Sequence, residues 1–297
     1  CLMATSESVR LDARIEQAKR AYRRLSGNTL SLVGIGMILT IVFVAIFAPV
    51  IAPYPDAVTG EPHFDEKTES PSADHLMGTD RLGRDIFSRI LYGARISILM
   101  GIVVLSIAIG IGVPLGLVAG YVGGWPGTFI MRITDVFLAV PPIILALAVA
   151  ALVEPTLWNA MIAISFAWWP WYTRLVNGEV VSVKEEEFIE ASESMGAGWL
   201  RVSFKEVLPN VIAPITVKAS LDMGFVILVG AALSFLGLGA TPPTPSWGAM
   251  IAQGRDYVTS FWWMSTFPGL AISFTVLGFN LLGDGLRDLF DVDVTRY

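Results

Sequence analysis

The sequence predicts an all-α, polytopic membrane protein with six transmembrane helices and both termini on the cytoplasmic side. Three observations predict it. Of 297 residues, 54% are hydrophobic and only 15% are charged, where a soluble domain carries about 25% charged residues. Residues 25–55, 96–131, 136–153, 155–173, 223–254 and 257–283 contain no Asp, Glu, Lys or Arg, and a spanning helix needs about 20 mainly apolar residues. The runs are continuously apolar rather than alternating, which excludes barrel strands. Backbone groups in lipid must pair within the span, which leaves the helix.

The expected spans are 30–52, 96–121, 128–153, 157–177, 214–238 and 264–285. Residues 1–29 form an N-terminal segment, and 30–297 form one transmembrane domain. The first apolar run is far longer than a signal-peptide core and shows no small-residue cleavage pattern, so it reads as a retained anchor. The second charge-free run passes from span two into span three and breaks at the glycine-rich 120–127. Outer loops are expected at 53–95 and 239–263, a cytoplasmic loop at 178–213 and a cytoplasmic tail at 286–297. Cys1 is the only cysteine, so no internal disulfide forms.

Lys and Arg, not net charge, orient such a chain. Arg10, Arg14, Lys19, Arg20, Arg23 and Arg24 precede span one, and Lys184, Arg201 and Lys205 lie in the 178–213 loop. The 53–95 loop holds five basic but eight acidic residues. With the flanks counted, the cytoplasmic side takes fourteen of the twenty Lys and Arg. Trp168, Trp169, Trp171 and Tyr172 at the inner end of span four, and Trp262 and Trp263 at the outer start of span six, are placed as interfacial aromatic belts.

The 178–213 loop carries the densest signal. Lys184-Glu185-Glu186-Glu187 opens a helix with acids in its first turn, which suits the helix dipole. Phe188, Ile189, Ser192 and Met195 follow at helical spacing. Gly196-Ala197-Gly198 stops the helix. A second short helix is expected from Trp199 to Leu208, with Pro209 marking the next turn. Two short helices about a glycine elbow make a compact acidic knob, whereas a membrane-surface helix would be basic. Glu190 is placed to accept a bidentate arginine from a partner.

These residues also carry a resemblance. Glu190-Ala191-Ser192, then Gly196, then Leu208-Pro209 resembles the "EAA" coupling loop of permease subunits in dipeptide, oligopeptide and nickel ABC importers. Gly78-Thr79-Asp80-Arg81-Leu82-Gly83-Arg84-Asp85 resembles the outer-loop signature of their C-type subunit. Arg132-Ile133-Thr134-Asp135, Pro141-Pro142, the 233–239 segment, Pro242-Pro243 and Ser246-Trp247-Gly248 agree as well. The likeness covers nearly the whole chain from about Asn28 onward. Ser192 stands in place of the motif's second alanine, and Glu206 where the family usually has an aliphatic residue or histidine.

The resemblance implies a type I ABC importer transmembrane-domain fold and a non-catalytic permease subunit in a prokaryotic cell membrane. Glu190, Ala191, Ser192, Met195, Gly196, Leu208 and Pro209 would couple to ATPase subunits. Implied partners are a homologous second permease, two ATPase subunits and an extracytoplasmic substrate-binding protein. ATP and magnesium would sit on the ATPases, with no cofactor on this chain. Peptides are the favoured cargo, and oligosaccharides, nickel chelates and glutathione are alternatives. Gly78, Thr79, Asp80, Gly83, Arg84 and Asp85 would form a structural or docking element.

Charges inside spans are costly and so are functional candidates. Asp135 is placed to pair with Arg132 three residues away, and Lys218 with Asp222 four away. With Asn280, these residues fit either packing or pathway roles. Ala108, Gly112, Gly116 and Gly120 in span two let a neighbouring helix approach closely. His63 and His75 read as isolated, not as metal ligands. No lysine follows a glycine, so no phosphate-binding Gly-Lys loop exists. The alternative function, an ion- or proton-coupled secondary transporter, would favour inverted repeats and midplane ionisable groups; the sequence has few such groups and no evident repeat.

Overall fold

The structure, a computed structural model, describes residues 29–58 and 61–294, with side chains as far as Phe290. The basic N-terminal residues lie outside the described residues. Ten α-helices follow one another among the described residues: α1 (Thr29–Ile51), α2 (Ile86–Val122), α3 (Gly124–Leu138), α4 (Pro142–Ala150), α5 (Leu157–Lys184), α6 (Glu187–Ser194), α7 (Trp199–Val202), α8 (Leu208–Phe235), α9 (Trp247–Gly254) and α10 (Trp263–Val294). A π-helical stretch, Ser203–Val207, joins α7 to α8. The only β pairing among the described residues is an isolated bridge, Thr79 to Asp85.

Among the described residues, four helices are long and apolar enough to cross a membrane: α1, α2, the α7–α8 unit Trp199–Phe235, and α10 through Phe290. The α3–α4 pair passes only as a unit, which makes five. The expected span 128–153 is therefore not one helix, because α3 and α4 bend by 84°. Pro141 and Pro142 cause the break: proline lacks the N–H that would continue the ladder and disfavours α geometry in the residue before it.

The expected span 157–177 lies within α5, whose 28 residues run on to Lys184. Its aromatic run 168–172 keeps it below the apolarity of the other four, and one of its faces packs on protein while Trp158, Ile162 and Phe166 on it remain exposed. Ala160, Met161, Ala163, Ile164, Tyr172, Thr173, Val176 and Val180 are wholly buried. The small-residue row of α2 accounts for the closest packing. A Cβ on Gly112 would lie 2.6 Å from Trp169 O, one on Gly116 2.7 Å from Val176 Cβ, and one on Gly120 2.8 Å from Val180 Cβ. Glycine is thus required for α2 and α5 to touch.

The aromatic belts do not form as expected. Trp168, Trp169 and Tyr172 are buried in the bundle, and of that group only Trp171 is exposed. Trp263 is also buried, with Nε1 donating to Thr79 O at 3.3 Å. Trp262 is exposed. Packing between helices claims the aromatics that a linear reading assigns to the interface.

Candidate functional site

The knob forms at the α5–α8 corner. Helix α5 ends at Lys184, a turn follows, and α6 starts at Glu187 rather than at Lys184, with Glu187 and Glu190 in its first turn. Ile189 and Ser192 face inward, whereas Phe188, Glu190, Ala191 and Met195 are exposed. Gly196, at φ +85°, ends α6. Its N–H donates to Glu193 O at 2.9 Å, and that of Ala197 donates to Ser192 O at 3.1 Å. This paired closure is a Schellman turn, which needs a left-handed residue at that point.

Three side-chain contacts tie the knob to the spans. Ser192 Oγ donates to Glu206 Oε1 at 2.7 Å. Tyr121, in the last turn of α2, donates its hydroxyl to Glu193. Lys184 Nζ donates to Tyr121 O at 2.8 Å and lies 5.2 Å from the centroid of its ring. Pro209 does not mark a turn, because α7, the π stretch and α8 run on as one helical unit. The wider π turn directly before Leu208-Pro209 absorbs the register break of a proline that lacks an N–H. Trp199, Leu200, Phe204 and Pro209 remain exposed beside Phe188 and Met195.

At the other end of α2, residues 61–85 fold into a cap. Asp80 is its hub: Oδ1 accepts from Leu82 N at 2.8 Å and Arg84 N at 3.1 Å, and Oδ2 accepts from Arg84 Nε at 2.8 Å. Arg84, 3% exposed, also reaches Gln253 Oε1 at 3.2 Å. Asp85 starts α2 as its N-cap, accepting from Ser88 N at 2.7 Å. Gly78 and Gly83 turn the chain at φ +74° and +76°. A Cβ on Gly83 would lie 1.8 Å from His63 O.

His75 is not isolated. It is buried, its Nδ1 lies 3.0 Å from Asp85 Oδ1, and its ring sits 4.7 Å from that of Tyr54. Arg89, 1% exposed, donates from NH1 to Ala57 O at 3.0 Å and lies 3.8 Å from Asp80. Sequence reasoning missed both roles. The ten-residue gap between His75 and Asp85 follows no helical or strand period, so no pattern marks the pair.

The charged residues of the spans arrange differently from expectation in one case. Asp135 pairs with Arg174 of α5, not with Arg132. Helix α3 presents Asp135 to α5, and a partner 39 positions away leaves no mark at helical spacing. Lys218 and Asp222 are paired at 3.1 Å. Asn280 is half-buried on α10 and joins neither pair. No cluster of three His, Cys, Asp or Glu suited to a metal occurs among the described residues.

Comparison with known proteins agrees with this geometry. The family model described as binding-protein-dependent transport system inner membrane component matches residues 112–296, and that for the N-terminal TM domain of oligopeptide transport permease C matches residues 16–71. The dipeptide transport system permease protein DppC of Alkalihalophilus pseudofirmus is 45% identical over 273 residues, covering 92% of this chain and 89% of that protein. The Escherichia coli DppC is 47% identical over 270 residues, covering 89% of each chain. The glutathione transport system permease protein GsiD of Salmonella typhimurium is 46% identical over 272 residues, covering 91% of this chain and 88% of that protein. Among solved structures, a chain of the MetNI methionine ABC transporter in an inward-facing conformation matches with a TM-score of 0.58 at 19% identity. It covers 70% of this chain and 97% of that one, a likeness of fold. The chain therefore belongs to the family of binding-protein-dependent transport system inner membrane components, as a multi-pass, non-catalytic permease subunit of an ABC importer.

Proposed function

We propose that the chain forms half of the translocation pathway of an ATP-driven peptide importer, with six spans and both termini in the cytoplasm. A homologous permease supplies the other half, two ATPase subunits dock on the knobs, and an extracytoplasmic binding protein delivers the cargo. The observation that carries the coupling role is the knob itself. It is closed by the Gly196 turn, tied to α2 through Tyr121 and to the α7–α8 unit through Glu206, and exposes Phe188, Met195, Leu200 and Phe204. An exposed apolar patch rimmed by acids on a rigid mount suits a groove on a soluble partner.

ATP binding closes the ATPase pair and draws the knobs together. The spans then open to the binding protein, and hydrolysis resets them inward. ATP and magnesium stay on the ATPases. Peptide cargo is supported by the dipeptide permeases among the relatives, with glutathione as the nearest alternative. ATP hydrolysis by the complete reconstituted assembly, with its binding protein and a panel of peptides, glutathione, oligosaccharides and nickel chelates, tests the reading. Stimulation by peptides is the expected result. Stimulation by another class replaces the cargo, and uptake driven by an ion gradient without ATP overturns the importer.

A further inference from the structure

At the knob end of the bundle, α5, α8 and α10 border an open cleft of about 720 Å³ whose charged lining is Glu179, Lys218, Asp222 and Arg287. That volume lies within the range of small-molecule sites. Two acids and two bases give a balanced lining, which suits a neutral zwitterion better than an anion or a cation. Within it, Lys218 Nζ lies 3.1 Å from both oxygens of Asp222. The same ammonium lies 5.4 Å from the centroid of Trp171 and 5.6 Å from that of Tyr172, two α5 rings that adjoin it from beyond the cleft's own lining.

A carboxylate and two aromatic rings converging on one cation make a general recognition site for an ammonium group. Here the chain's own lysine fills it. Tyr172 is wholly buried and Asp222 is 7% exposed, so these walls are fixed. The Lys218 side chain is 25% exposed on a flexible four-carbon stem, so the occupant is the movable part.

We propose that Trp171, Tyr172 and Asp222 form an ammonium station for the amino terminus of a short zwitterionic peptide, with Lys218 as its resting occupant. The incoming α-ammonium takes the place of Lys218 Nζ beside Asp222. The released lysine then pairs with the peptide carboxylate. One internal ion pair is exchanged for two between protein and cargo, and no charge is stranded in the cleft. This inference rests on the peptide-importer reading and adds to it a residue-level site for the cargo.

The test is uptake of radiolabelled Ala-Ala by the reconstituted assembly, with wild type, Asp222→Asn, Lys218→Met, Lys218→Arg and Trp171→Leu. ATPase co-purification and the affinity of the binding protein for Ala-Ala are measured beside it. Asp222→Asn and Trp171→Leu are expected to lower uptake about tenfold or more, the scale of a lost charged hydrogen bond or ring contact. Assembly stays normal, and Lys218→Arg retains uptake that Lys218→Met loses. Normal uptake by both Asp222→Asn and Trp171→Leu overturns the station. Absent wild-type uptake instead overturns the peptide reading.

Should Asp222→Asn fail to assemble, Phe225→Cys decides. Phe225 lines the cleft and is 55% exposed. A charged methanethiosulfonate is expected to modify it and block uptake, with Ala-Ala slowing the reaction. A thiol that does not react, or that Ala-Ala leaves unprotected, overturns the station.

Discussion

Ser192 Oγ donates to Glu206 Oε1 across 2.7 Å, so two residues 14 positions apart, on separate helical elements, meet at the knob. Ser192 is 8% exposed and Glu206 half-buried. A methyl group at 192 would leave the carboxylate without this donor. The hydrogen bond joins the first knob helix to the π stretch that leads into α8.

A double-mutant cycle reads that link. Ser192→Ala and Glu206→Ala are each expected to destabilise the detergent-solubilised assembly by about 0.5–1.5 kcal/mol. The double variant should cost less than their sum, since either change alone removes the same bond. Thermal unfolding of all four proteins checks this, and additive costs would show that the contact contributes nothing.

Gly196 tests the elbow by conformation alone. A Cβ there meets no atom within 4 Å, so only the φ of +85° resists substitution. Gly196→Val is expected to cost about 1–2 kcal/mol locally and to impair ATP-driven uptake with membrane insertion intact. Gly196→Asn should be milder, because asparagine tolerates the left-handed region. Equal uptake by Val and Asn variants would show that the turn is dispensable.

Glu190 is exposed on the knob, so its charge is available to another protein. Glu190→Arg should reduce ATPase co-purification and uptake by about tenfold or more, the range for reversing a partnered charge. Folding should be unaffected, and the thermal midpoint reads that separately. Wild-type co-purification would remove Glu190 from the docking surface.

Asp85 holds both the start of α2 and the buried His75. Asp85→Ala removes an N-cap, a loss of about 0.5–2 kcal/mol, and also strips the imidazole of its partner. Asp85→Asn keeps the cap and should recover most of the loss. Limited proteolysis between residues 61 and 85 measures how far the cap opens.

Gly116 tests the α2–α5 seam. A Cβ there would lie 2.8 Å from Thr173 O as well as close to Val176. Gly116→Leu is expected to destabilise by about 1–3 kcal/mol through overpacking, where the same change at Gly110, which has open space, is tolerated. Thermal midpoints of the two variants decide it.

The charge-free runs made α1, α2, α8 and α10 legible, because exclusion of charge from lipid acts on composition alone. The Gly196 stop and the close approach along Gly112, Gly116 and Gly120 were legible for a related reason: each depends on one residue type at one spacing. Three features were not. The α3–α4 bend needs a proline to break a helix, yet Pro114, Pro170, Pro214 and Pro268 sit inside helices that continue. The Asp135–Arg174 pair and the His75–Asp85 pair join elements that only tertiary packing brings together. The aromatic cluster at 168–172 read as a membrane interface because ring chemistry alone does not distinguish lipid headgroups from a protein interior.

Helix α2 has its first turn bonded into the cap and its last turn bonded to the knob. Its 37 residues measure about 55 Å. One continuous helix, rather than a chain of side-chain contacts, therefore joins the cap to the knob. The one proline along it, Pro114, removes a rung seven positions before Tyr121. Between the cap and the knob, Pro114 is therefore the place where the backbone ladder of α2 is weakest and the two ends are least rigidly joined.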